Sequence, residues 1–252
     1  MRHSALFTAA LLLNTAALAG GPDVADGMGN HVILGFMGGP AVNTASLQGF
    51  YNNVADTDSQ IFNSTASSIS LLTGPELGYV WSINPRNTIG LVGNINYNSA
   101  NTQQIWNLGD VITPSNDGYD LTQSVMPKWQ YNLYLTAAHF ITNSFSISLN
   151  AGFSTVDTKT TLSIHDAGDQ VANTAAPGQS ETNYLLGGLI GLGFGYFITP
   201  NSSLDANLNY YIYASQELNT VSDIDTGGRD QLTSRKLTLY IPTLLFDYTY
   251  HF

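Results

Sequence analysis

The stretch LDANLNYYIYAS, residues 204–215, separates into two chemically distinct series when every second residue is taken. Leu204, Ala206, Leu208, Tyr210, Ile212 and Ala214 form one series, and Asp205, Asn207, Asn209, Tyr211, Tyr213 and Ser215 the other. Successive side chains of a β-strand point to opposite faces, so this period describes a strand with one apolar and one polar face. Residues 145–154 repeat it, with Phe145, Ile147, Leu149, Ala151 and Phe153 against Ser146, Ser148, Asn150, Gly152 and Ser154. From Tyr184 the apolar face carries Leu186, Ile190, Leu192, Phe194, Tyr196 and Ile198, while Gly187, Gly191, Gly193 and Gly195 oppose it. Glycine in a strand marks close approach of neighbouring groups, so that second face looks onto a crowded interior.

Fainter alternation extends the pattern upstream. Leu77, Tyr79, Trp81 and Ile83 oppose Glu76, Gly78 and Ser82; Ile89, Leu91, Ile95 and Tyr97 oppose Thr88, Gly90, Asn94 and Asn96. Trp129, Tyr131, Leu133, Leu135 and Ala137 oppose Gln130, Asn132 and Thr136, and Val32, Leu34 and Phe36 mark a first strand. Eight strands are predicted, at 30–39, 68–83, 87–98, 128–141, 145–158, 183–198, 203–215 and 235–252. Asn84-Pro85-Arg86, Thr142-Asn143-Ser144 and Thr199-Pro200-Asn201-Ser202 make tight turns. Long loops at 40–67, 99–127, 159–182 and 216–234 alternate with them.

Composition says what surrounds such a sheet. Only 10% of residues are charged, against about 25% in a typical soluble domain. Something other than water must therefore cover much of the surface. No apolar run after residue 20 approaches the ~18 residues needed for a membrane helix, which leaves strands as the spanning element. Hydrocarbon offers no hydrogen-bond partner to a strand edge, so the sheet must close on itself. Even strand number and alternating short turns and long loops suit a closed transmembrane barrel with both termini at the short-turn end. A soluble eight-stranded barrel, apolar inside and polar outside, is the rival; low charge and aromatic placement speak against it.

The last strand adds a more specific signal. Leu244, Phe246, Tyr248, Tyr250 and Phe252 share one face, opposed by Leu245, Asp247, Thr249 and His251. A final strand of this kind, with a Tyr third from a terminal Phe, is similar to the insertion signal of bacterial outer-membrane barrels. The chain resembles the small eight-stranded barrels of the OmpA and opacity type. That resemblance implies an all-β transmembrane antiparallel barrel of eight strands, four long extracellular loops and three short periplasmic turns. It also implies the outer membrane of a Gram-negative bacterium as location, and outer-membrane lipid, lipopolysaccharide and the barrel-assembly machinery as partners. Phe252, Tyr250 and Tyr248 would carry the assembly signal. One irregularity is expected: Leu237, Leu239 and Ile241 are apolar in the opposite phase from Leu244 to Phe252, which predicts a bulge or register shift at Pro242.

The N-terminus reads as a secretory signal over residues 1–19: Arg2 and His3, then an apolar stretch from Ala5 to Leu13, then Ala17-Leu18-Ala19 at a cleavage site. A short periplasmic segment, 20–29, would precede the barrel, 30–252. With no Cys, neither a disulfide nor a thiolate metal site is available. A formal charge of −11 disfavours nucleic acid.

Trp81 and Tyr196 near the turns, and Trp129, Tyr131 and Tyr184 near the long loops, are expected to form two aromatic girdles. The basic residues Lys128, Lys159, Arg229, Arg235 and Lys236 are expected in loops or at strand ends on the long-loop side. Glu76, Asp205 and Asp247 fall on inward faces with no evident basic partner, so hydration, protonation or hydrogen bonding must accommodate them. They fit a polar plug, since eight strands leave room for side chains alone, or a narrow cation-preferring water path. No histidine has the spacing of a serine-hydrolase motif, and Asp223 to Asp230 lacks the closing bidentate acid of a calcium loop. No catalytic, metal or cofactor residue is therefore assigned. The expected role is structural or adhesive, with host surface molecules met through the loops; a small pore or hydrophobic-solute channel is the alternative, and lipid-modifying enzymology comes third.

Overall fold

The computed structural model describes residues 29–53, 59–107, 119–166, 179–219, 221–222 and 230–252. The predicted signal and all but the last residue of the 20–29 segment lie outside them. The described chain is a series of antiparallel strands: β1 (His31–Asn53), β2 (Ser59–Asn84), β3 (Asn87–Asn98), β4 (Thr102–Asn107), β5 (Tyr119–Phe140), β6 (Phe145–Asp166), β7 (Gln179–Thr199), β8 (Ser202–Tyr213), β9 (Gln216–Glu217), β10 (Val221–Ser222) and β11 (Asp230–His251). The eight long strands close into a ring in the order β1-β2-β3-β5-β6-β7-β8-β11, and β11 pairs back onto β1. The closing seam is continuous at the turn end, where Ile33 faces His251 and the Phe252 amide donates to the Val32 carbonyl at 3.0 Å.

Local chemistry explains the three turns. Asn84 Oδ1 accepts from the Arg86 amide at 3.0 Å and from Asn87 Nδ2 at 2.9 Å. Thr142 Oγ1 takes the Phe145 amide at 3.0 Å, and Thr199 Oγ1 takes the Asn201 amide at 3.2 Å. Each side chain thereby satisfies a donor that the tight reversal leaves without a ladder partner.

Around the turn-end half, the outward residues are apolar and exposed: Leu34, Phe36, Leu77, Ile89, Leu133, Leu149, Phe153, Ile190, Leu208 and Phe246 among them. A band of this kind has no counterpart on a water-soluble barrel, and it matches the hydrocarbon layer.

Three expectations need correction. The strands are far longer than the predicted ones: β1 continues to Asn53 and β2 begins at Ser59, so most of 40–67 is strand. β5 likewise starts at Tyr119, β6 runs to Asp166, β7 starts at Gln179 and β11 at Asp230. The physical reason is an inversion of polarity. Beyond the apolar band Thr44, Ser46, Lys236 and Thr238 look outward, while Ala41, Ala45, Leu47, Leu237, Leu239 and Ile241 are fully buried inside. A strand that leaves lipid for water must exchange its faces, and a search for one constant apolar phase loses it there.

The second correction follows from the first. Pro242 is not a bulge: it pairs with Tyr210, flanked by Ile241 against Tyr211 and Thr243 against Asn209, in unbroken register. The ring accommodates the change of phase by a change of surroundings. A true irregularity of β11 lies further up, where Gln48 pairs with Lys236 but Phe50 with Thr233. Ser234, at φ 50°, supplies the left-handed residue that such a bulge uses. The third correction concerns Arg235, which does not project from a loop or strand end but keeps the inward phase of Leu237, Leu239 and Ile241 and is 3% exposed.

Finally, the ring is not uniform in height. The β2–β3 ladder stops at Leu72 opposite Asn98, and β7–β8 stops at Gly187 opposite Tyr213. Above those levels the described pairings form two walls, β11-β1-β2 and β4-β5-β6-β7, with β9 and β10 added to β11.

Candidate functional site

The lumen has two storeys. The upper is a seal in which Met37, Leu47, Leu72, Leu185, Tyr211, Tyr213, Leu237, Leu239, Ile241 and Leu245 are buried against one another. Tyr213 shares a hydrogen bond with Ser154 Oγ at 2.7 Å, so its polar end is satisfied within the wall. Leu218, from the segment after β8, completes the packing.

Arg235 fixes that segment. Its Nη2 and Nε donate to the Asn219 carbonyl at 2.6 and 3.1 Å, and its Nη2 pairs with Glu181 Oε1 at 3.2 Å. Glu181 Oε2 returns to the Asn219 amide at 3.2 Å. Burial pulls the guanidinium below its ordinary basic range while the Glu181 carboxylate opposes that. A planar five-donor group suits this clasp, since it can hold one carbonyl and one carboxylate together. A small cavity of about 60 Å³ lies beside it, lined by Gln123, Thr160, Leu162 and Ser180.

The lower storey is polar and opens at the turn end, a cavity of about 110 Å³. Glu76, from β2, is 6% exposed and reaches across β1 to β11. Its Oε1 accepts from Thr249 Oγ1 at 3.0 Å and its Oε2 from the Tyr134 hydroxyl at 3.3 Å. Gly35 is what it crosses: a Cβ there would lie 2.6 Å from Glu76 Oε1 and 2.9 Å from its Cγ. The glycines of β7 act alike. A Cβ at Gly195 would meet Asp205 Oδ1 and Ser146 Oγ, and one at Gly193 would meet Asn207 Oδ1 and Ser148 Oγ. The crowding read from the sequence is thus local; neighbouring polar side chains lie over backbone that has none.

Asp205 and Asp247 sit directly opposite each other on β8 and β11, both turned inward. Ser203 Oγ donates to Asp205 Oδ2 at 2.7 Å, and Asn207 Nδ2 donates to Asp247 Oδ2. Asn150 Nδ2 in turn donates to Asn207 Oδ1 at 3.0 Å. Asp247 is 3% exposed, and its Oδ1 is buried with no hydrogen-bond partner. At the mouth His251 Nδ1 lies 3.1 Å from His31 Nε2, and Phe197 meets His251 at a tilt of 41° with ring centres 4.7 Å apart.

The aromatic residues read from the sequence all lie on strands. Trp81, Trp129, Tyr131 and Tyr184 are outward and exposed, and Tyr196 is half-buried. Trp81 meets Tyr79 edge to face at 5.0 Å, and Trp129 meets Tyr97 at 5.2 Å. Tyr248, Tyr250 and Phe252 are exposed on the same outward face. Among the described residues no group of three or more His, Cys, Asp or Glu is placed to hold a metal ion. Asp223 and Asp225 fall outside the described residues. Sequence reading missed Tyr134, Gly35 and Arg235. Tyr134 had a signal, since it keeps the phase of Asn132 and Thr136.

A closed eight-stranded ring, an outward apolar band with exposed aromatics and a filled lumen define a small transmembrane β-barrel of the outer-membrane kind. No protein-family model matches the chain, and no curated protein does. Among solved structures it is similar to the outer membrane protease OmpT from Escherichia coli, at 9% identity and a TM-score of 0.48 over 90% of this chain and 100% of that one. It is also similar to the outer membrane protein OprG from Pseudomonas aeruginosa, at 15% identity and 0.47, over 90% and 99%. Ail, the attachment invasion locus protein of Yersinia pestis, stands at 16% and 0.34, over 85% and 99%. The class rests on the geometry of the barrel itself.

Proposed function

We propose that this is a surface barrel of a Gram-negative outer membrane, exported by cleavage of residues 1–19, which serves as a rigid mount for recognition or envelope contacts rather than as a conduit. The single observation that carries the reading is the upper seal: Leu237, Leu239, Ile241, Tyr211 and Tyr213 close the lumen with side chains that exclude water. A filled interior transmits no solute, so function passes to the end where the strands outlast the bilayer. The connections there are acidic, with Asp56, Asp58, Asp110, Asp117, Asp169, Asp223 and Asp225 against Arg229. Complementary potential favours a partner surface of positive charge, such as a basic patch on a host surface protein. Lipopolysaccharide and lipid surround the band, and Tyr248, Tyr250 and Phe252 present the last strand to the assembly machinery.

Replacing the connections at 54–58, 108–118, 167–178 and 223–229 with tight turns tests the reading in cells. Loss of adhesion or of envelope integrity, with folded barrel still present, is the expected outcome; no change in either defeats it. Planar-bilayer recording supplies the other arm. A silent barrel agrees, whereas steady conductance altered by Glu76→Gln or Asp247→Asn restores the pore.

A further inference from the structure

We propose that the outer face of β5 and β6, just above the apolar band, binds a phosphate of lipopolysaccharide between Lys128 and Lys159. The proposal rests on the outer-membrane placement argued above and adds a specific lipid contact to it. β5 carries one extra residue where its pairing with β6 passes from Pro127 opposite Thr158 to Gln130 opposite Val156. Such a bulge exchanges the two faces of a strand. Below it Trp129, Tyr131 and Leu133 are exposed; above it Val125 and Gln123 are fully buried, so Lys128 joins Trp129 on the outside. Lys159 is exposed two residues beyond Asp157, the residue that faces the bulge.

Both lysines stand at the height of lipid headgroups. On β6 the outward series Phe145, Ile147, Leu149, Ala151 and Phe153 ends at Thr155. At about 3.4 Å per residue and a tilt of about 40°, Lys128 lies about 5 Å and Lys159 about 10 Å above Thr155. A lysine side chain is long enough to return its ammonium toward the boundary. Trp129 and Tyr184 flank Asp157 from the neighbouring strands, and amphipathic rings prefer that depth.

Charge and shape both point to a phosphorylated amphiphile. Among the described residues the ion pairs are Arg235 with Glu181 and Lys236 with Glu217, so no carboxylate neutralises Lys128 or Lys159. Asp157 lies between them on the same face without pairing to either, and the patch is net positive on a chain of formal charge −11. A lysine ammonium holds phosphate as a point charge, and two on neighbouring strands can grip one phosphate from both sides. Below them the wall suits acyl chains. Phe153 is exposed beside Gly188, where an added Cβ would have 3.8 Å to its nearest neighbour, and Leu186 and Ile190 border that recess. A free phosphate would use the cations alone; a phosphorylated glycolipid uses both.

Native mass spectrometry on the full refolded barrel in detergent tests this, with diphosphoryl lipid A as probe. Retention of a single lipid A is expected. Lys128→Gln and Lys159→Gln should each weaken it about fivefold, and the two together roughly 30-fold. Asp157→Asn removes a like charge from beside the phosphate and should tighten binding about two- to fivefold. Lys236→Gln, at the residue paired with Glu217, should leave it unchanged. Heat-modifiable gel migration identifies folded protein for every variant. With folded barrel, no retained lipid A, or equal retention by the double lysine variant, overturns the proposal. Equal retention of lipid A stripped of its phosphates, or of phosphatidylglycerol, whose phosphodiester carries a single charge, also overturns it. So does weaker retention by Asp157→Asn, or displacement of the probe by millimolar inorganic phosphate. Each of these outcomes leaves the surface-mount reading intact, since the connection replacements decide that separately.

Discussion

A lysine scan along the outward face of β11 measures where lipid ends. The outward apolar series runs from Tyr240 to Tyr250. Ten residues at about 3.4 Å each, tilted by about 40°, rise about 26 Å, close to the ~25 Å apolar band of outer-membrane barrels. The midplane then falls level with Leu245. Phe246 lies about 3 Å from it, while Thr238 lies about 18 Å away, roughly 5 Å beyond the hydrocarbon edge. Phe246→Lys should cost about 2–4 kcal/mol and Thr238→Lys about 0–1 kcal/mol. The difference of about 2–3 kcal/mol corresponds to a roughly 30- to 150-fold change in the folded-to-unfolded ratio. Equilibrium guanidinium unfolding of the barrel in lipid vesicles, followed by Trp fluorescence, reads it directly. Equal costs at the two positions, or a larger one at Thr238, would refute the boundary and with it the account of why the pattern inverts.

Three further substitutions probe the interior. Leu239→Ala, at a fully buried position in the seal, should lose about 2–5 kcal/mol in the same unfolding assay. Gly35→Ala should cost about 1–3 kcal/mol, because the added methyl displaces Glu76 from Thr249; the variant Gly35→Ala/Glu76→Ala should recover part of that loss. Ser234→Gly should be neutral or stabilising by up to about 1 kcal/mol, since it relieves a left-handed residue, whereas Ser234→Val should be destabilising.

Residues 204–215 and 145–154 yielded their strand and its orientation directly, because in the bilayer one face must be uniformly apolar. The same rule failed on β1 and β2 above Val42 and Ile69. There the outward side chains are Thr44, Ser46, Ser67 and Thr65, and the inward ones are as small as Ala45, Ala66 and Ser68. Neither face is distinctive, so the strand reads as loop. Leu237, Leu239 and Ile241 did carry a signal, but a proline nearby offered a local explanation for what is a change of solvent. Glu76, Asp205 and Asp247 could be read as inward from parity alone. Their distribution could not, since the reach of Glu76 over Gly35 and the opposition of Asp205 to Asp247 depend on strand register. Arg235 keeps the inward phase of Leu237, Leu239 and Ile241, but a strand predicted to begin at 235 leaves it at an end, where parity with its neighbours carries no weight.

The inversion at Pro242 also gives the molecule stature. From Tyr240 to Asp230 β11 continues ten residues past the lipid edge, still paired with β1 up to Asn53, a further rise of about 26 Å at the same pitch and tilt. That is nearly a second bilayer core in height. Whatever sits on the ends of β1, β2 and β11 is thus held by hydrogen-bonded wall rather than by tether, and a sequence grafted between Asn53 and Ser59 would be displayed at a fixed altitude above the headgroups.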